Sequence, residues 1–87
     1  MKTIKIIIFG KVQGVFFRDG VRKKALELRL KGYVKNVNET VEVVLEGNES
    51  SIKEMLEFCK KGPVGADVKE VEIKEFKGEF DDFGIEY

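Results

Sequence analysis

Apolar and polar positions along this chain recur with two different periods, and the period of each stretch predicts its element. Thr3 to Phe9 is almost continuously apolar and β-branched, with Ile4, Ile6 and Ile8 on one side and Ile7 and Phe9 on the other. That predicts a central strand buried on both faces. From Phe17 onward Val21, Ala25 and Leu28 fall at helical spacing with Arg22, Lys23 and Lys24 between them, which predicts a first helix stopped by Gly32. Tyr33 to Val37 and Val41 to Glu46 read as two strands around Asn38-Glu39-Thr40, the second setting Val41, Val43 and Leu45 against Glu42, Val44 and Glu46. Ile52, Met55, Leu56 and Cys59 mark a second helix that ends at Gly62-Pro63. Its start is either Asn48 as cap or a capping box of Ser51 with Glu54. Val68 to Phe76 alternates again, with Val71 and Ile73 against Glu70, Glu72 and Lys74; Gly78 to Gly84 reads as a loop, and Ile85 to Tyr87 leaves room for a short fifth strand.

The order βαββαβ predicts an α+β fold, a ferredoxin-like sandwich in which an antiparallel sheet carries both helices on one face. The first two strands flank a helix as a crossover unit, so they should run parallel with their carboxyl ends at one edge of the sheet. The segment Gly10 to Arg18 and the residue Asn36 both fall at that edge, where ligands of such crossovers tend to bind.

Eighty-seven residues predict one domain with one core. Lys plus Arg equals Asp plus Glu at sixteen each, so no net field draws the chain to nucleic acid or to an anionic membrane. The apolar part of MKTIKIIIFGK is too short for a signal peptide or a span, and the lone Cys59 forms no intrachain disulfide. A cytoplasmic protein is expected. The charges are mostly Lys and Glu, a bias found in heat-adapted proteins and almost as often on ordinary, highly charged surfaces.

The chain has no His, which removes a phosphohistidine, a His base and any Ser-His or Cys-His pair. Cys59 lies on the apolar stripe of its helix and reads as a core thiol, and Asp81-Asp82 reads as a solvated turn and not as a metal site. What remains is Gly10-Lys11-Val12-Gln13-Gly14-Val15-Phe16-Phe17-Arg18, a strand end, a loop and a helix start. Gly14 permits a turn with φ > 0, the amides entering a helix favour an anion, and Arg18 offers a planar fork for two phosphate oxygens. An Arg in a first helical turn opposes the helix dipole unless an anion lies between them. The bland alternative is an Arg that packs its stem and solvates its head. Asn36, just before a hairpin, is by residue type more often a turn former than a catalyst.

These residues resemble the acylphosphatase signature, G-x-V-Q-G-V-x-F-R. Gly32-Tyr33-Val34-Lys35-Asn36 is similar to its second signature, continued by Val41-Glu42-Val43 and Glu46-Gly47. Gly62-Pro63-Val64-Gly65-Ala66 resembles the family's GPPGA-type connection, and Phe83-Gly84-Ile85-Glu86-Tyr87 its closing F-x-I-x-Y. The resemblance covers the whole chain. It implies hydrolysis of the carboxyl-phosphate anhydride of small acyl phosphates without metal or cofactor, with Arg18 and Asn36 at the two catalytic positions. It also implies that Gln13, Gly14, Val15, Phe16 and Phe17 form the phosphate loop and that Asn36 orients the attacking water. A monomer acting on a small molecule, with no nucleic-acid or membrane partner, is expected. The alternative is a regulatory phosphate-binding domain of the same topology. Two positions depart from the pattern: Phe16 stands where the family often has Gly, and the hairpin after Asn36 is one residue short and lacks its turn Gly.

Overall fold

The structure, a computed structural model, describes residues 1–14 and 16–86. Its elements run β1 (Lys2–Lys11), α1 (Phe17–Glu27), β2 (Lys31–Val37), β3 (Thr40–Gly47), α2 (Glu49–Lys61), β4 (Asp67–Glu75) and β5 (Phe83–Glu86). Five strands form one sheet in the order β4-β1-β3-β2-β5. β3 pairs antiparallel with both β1 and β2, so those two run parallel as the crossover requires. β4 is antiparallel to β1, but β5 runs parallel to β2, and the sheet is therefore mixed where the first four strands alone are antiparallel.

One face of this sheet makes the core. Ile4, Ile6 and Ile8 of β1, Val34 of β2 and Val41, Val43 and Leu45 of β3 meet Phe17, Val21 and Ala25 of α1 and Ile52, Met55 and Cys59 of α2 in one cluster. Both helices thus cover the same side. The expectation that β1 is buried on both faces holds for the helix side only, because Ile7 and Phe9 on the other side are half-buried. β4 lies at an edge, which leaves Ile73, expected in the core, half exposed.

The opposite face is not open either. β4 and β5 lie at opposite edges, so residues 76–82 must cross from one to the other, and they do so over the outward side chains. Phe76 and Phe80 stack at 6.4 Å, Phe80 meets Tyr33 edge-on at 5.9 Å, and Lys5 Nζ sits 5.2 Å from the Phe76 ring centre. Val44, an outward residue, is consequently wholly buried. Beside this strap Glu42 accepts from the Tyr33 hydroxyl at 2.8 Å and lies within 4 Å of Lys5 and Lys35, linking three strands. A face so covered has no free aromatic platform for stacking bases.

Both helix boundaries have local causes. α1 does not run to Gly32: it ends at Glu27 with Leu28 as its C-cap, and Arg29 takes the left-handed conformation (φ 58°). Leu30 N–H donates to Ala25 O at 2.9 Å and Arg29 N–H to Leu26 O at 3.2 Å, a Schellman closure. Gly32 belongs to β2 instead; a Cβ there would stand 1.9 Å from the Val44 carbonyl oxygen, so this position needs Gly for close strand approach. For α2 the two candidate starts resolve to Asn48, whose side chain accepts from Ser51 N–H at 2.8 Å.

Candidate active site

The loop between β1 and α1 is pinned at both ends. Val12 (1% exposed) and Phe17 (2%) are both core residues, and Gly14 and Phe16 between them are exposed. Gly14 adopts φ 74°, as expected, with no heavy atom near a would-be Cβ, so it is the backbone conformation and not space that calls for glycine. Phe16 is also left-handed, at φ 58° and ψ 28°, and serves as the N-cap of α1. Gly20 N–H donates to its carbonyl at 3.0 Å, closing the first helical turn.

The side chain of an N-cap phenylalanine carries no oxygen, and α1 has no side-chain cap. The amides of the first turn have no carbonyl one turn back, so the positive end of the helix faces outward without a protein-supplied acceptor from the cap. Such an end favours an anion. A cleft of about 370 Å³ opens there, lined by Gly14, Phe16, Phe17, Arg18, Asp19 and Ile85. Arg18 is half-buried in its wall and Ile85 comes from β5.

Four of the expected site residues, Gly14, Phe16, Phe17 and Arg18, therefore share one cleft. Asn36 is not in its wall. It stands exposed near the carboxyl end of β2, on the face shared with Val34, whose strand partner Ile85 does line the cleft. The ladder remains regular through this point, with Asn36 opposite Val41 and Val37 opposite Thr40. The hairpin is closed in two residues because Asn38 accepts φ 56° and the Thr40 hydroxyl donates to Val37 O at 2.8 Å. The shortened turn thus leaves the strand end undistorted.

Gln13 joins the two halves in a way the sequence did not suggest. Its Nε2 donates to Asn38 O at 2.8 Å and to Thr40 O at 2.9 Å, so its side chain holds the hairpin and does not face an anion. Both acceptors are carbonyl oxygens, which fixes the orientation of the amide. Val15, expected in the loop, and Tyr87, expected to end the last strand, lie outside the described residues. Ile85 is a wall residue that sequence reasoning missed. The signal for Ile85 was its place in F-x-I-x-Y, but only the parallel pairing of β5 with β2 brings it to the cleft.

Among the described residues no three His, Cys, Asp or Glu side chains come together as a metal-binding group, and no helix is long and apolar enough to cross a membrane. Cys59 is wholly buried, and burial pushes its thiol up to about 12, which makes it a poor nucleophile.

The acylphosphatase family profile matches residues 4–85, which takes in both signatures and the closing strand as far as Ile85. The chain belongs to the acylphosphatase family. It is 42% identical over its full length to an acylphosphatase of Syntrophus aciditrophicus (strain SB), covering 94% of that protein. Among solved structures, an acylphosphatase from Coxiella burnetii superposes with a TM-score of 0.93 at 42% identity, over 98% of this chain and 92% of that one. An acylphosphatase from Bacillus subtilis superposes with a TM-score of 0.94 at 33% identity, over the whole of both chains. The acylphosphatase fold is therefore shared along the entire sheet and both helices.

Proposed function

We propose that this chain hydrolyses small acyl phosphates, holding the phosphoryl group with Arg18 and the amides of the 13–18 loop while Asn36 orients the attacking water. The observation that carries this reading is the cleft in which Arg18 and the uncapped N-terminus of α1 converge. Its positive end and guanidinium suit a dianionic phosphoryl group, and both strengthen as charge gathers on the oxygens in the transition state. Water oxygen bonds to phosphorus and the bond from phosphorus to the acyl oxygen breaks. The bonding pair leaves with the carboxylate, and the water proton passes to a phosphoryl oxygen, so acyl phosphate and water give carboxylate and dihydrogen phosphate. A carboxylate is a good leaving group, so the step asks for positioning and charge stabilisation more than for a strong base. Among the described residues one carboxylate, Asp19, lines the cleft, a donor set too poor to hold a catalytic cation.

The same reading takes the 87 residues as a single domain that works as a monomer in the cytoplasm. A free, buried Cys59 suits a reducing compartment, and the exposed large apolar residues are scattered over the chain. The Lys- and Glu-rich surface supports a heat-resistant fold.

Hydrolysis of acetyl phosphate in ¹⁸O-water tests the chemistry. The reading expects enzyme-dependent turnover with the label in inorganic phosphate. Label in the carboxylate would place the attack at the acyl carbon and contradict it.

A further inference from the structure

Phe16 carries two costs that the folded chain alone does not offset. Its backbone sits in the left-handed region, which glycine enters freely and a residue with a Cβ does not. The residue is 79% exposed. The turn into α1 explains the φ but not the side chain, since Gly or Asn would make the same turn with less strain. An aromatic held at such a position, with a cleft beside it, points to a ligand contact.

The cleft also has more room than its anion site uses. At about 370 Å³ it falls in the range of small-molecule sites, and a phosphoryl group fills a minor part of it. Arg18, half-buried, is its cationic wall, whereas the exposed Phe16 and the half-buried Ile85 are apolar wall. A substrate anchored through phosphate at Arg18 would extend its acyl group along that wall.

We infer that Phe16 is a specificity-determining residue, selecting acyl phosphates whose acyl group is aromatic or bulky and apolar over acetyl phosphate. The inference rests on the hydrolytic reading above and adds the acyl class. Ring-on-ring contact is worth about a three- to tenfold preference. Among the described residues no charged side chain other than Arg18 and Asp19 lines the cleft, so a charged acyl group has little to recognise there.

The test compares kcat/KM for benzoyl phosphate and acetyl phosphate in the wild type, Phe16→Ala and Phe16→Tyr. Phe16→Ala should lower the benzoyl-to-acetyl ratio about three- to tenfold, and Phe16→Tyr, which keeps the ring, should retain the wild-type ratio. A ratio unchanged in Phe16→Ala, or lost equally in Phe16→Tyr, overturns the inference. Calorimetric binding of benzoylphosphonate against acetylphosphonate, which release no phosphate, reads the same contact without turnover. There, loss of the benzoyl preference in Phe16→Ala supports the inference and its persistence overturns it, even if no acyl phosphate were hydrolysed and the hydrolytic reading had failed.

Discussion

Arg18 and Asn36 divide the proposed chemistry between charge and position, and single substitutions separate the two roles. Asn36→Ala should lower kcat by about 100-fold, because a misplaced water costs about that much, while leaving inhibition by inorganic phosphate nearly unchanged. An effect confined to KM would mean that Asn36 binds substrate and does not orient water. At this scale much was legible in the sequence. Gly14 was read as a residue that permits positive φ, and it adopts it; Cys59 was read as a core thiol, and it is wholly buried. The side-chain direction of Gln13 was not legible, because its partners Asn38 and Thr40 lie 25 and 27 residues away and are backbone carbonyls, which no residue pattern marks.

Among the elements, the junction of the β1–α1 loop with the β2–β3 hairpin is what brings an anion loop and a strand end into one unit. Gln13 supplies two hydrogen bonds of that junction. Gln13→Ala should therefore destabilise the fold by about 1–2 kcal/mol in a urea titration and lower kcat more than it raises KM. Gln13→Glu should not restore either, because a carboxylate cannot donate to two carbonyl oxygens. Full stability and activity in Gln13→Ala would show that the hairpin holds its place without this link. Most elements followed from periodicity, since buried Val, Ile and Leu positions recur as each strand and helix demands. The end of α1 did not, because Arg29 takes a left-handed conformation usually given to glycine, while the glycine that looked like a stop, Gly32, serves the packing of β2 against β3. β5 gave too short a pattern to reveal its partner, so its parallel pairing and the cleft wall at Ile85 emerged only in three dimensions.

Across the whole molecule, one face of the sheet is buried under two helices and the other is covered by the Phe76–Phe80 strap, and the proposed chemistry falls at the edge where β1 and β2 end. The fold also stores a pH dependence. Cys59 is held at about 12 against an ordinary value of 9.0, and burial with the neighbouring Glu42 pushes Tyr33 upward as well. Above pH 9 the unfolded chain releases the Cys59 proton before the folded chain does, so stability is full below that pH and falls as pH rises toward about 12, by roughly 1.4 kcal/mol per pH unit. Denaturation of Cys59→Ala against wild type between pH 8 and 11, as approximate bounds, should show a shallower decline in the variant; equal slopes would mean that Cys59 titrates alike in both states. The central claim, that Arg18 and the uncapped end of α1 stabilise a phosphoryl group in flight, is tested most directly by initial rates of acetyl phosphate hydrolysis in excess EDTA for wild type and Arg18→Lys. The expected result is metal-independent turnover by the wild type and a loss of about 100-fold or more in a folded Arg18→Lys, since an ammonium cannot reproduce the planar fork. Wild-type turnover no faster than the uncatalysed reaction, or near-normal rates in Arg18→Lys, would contradict it.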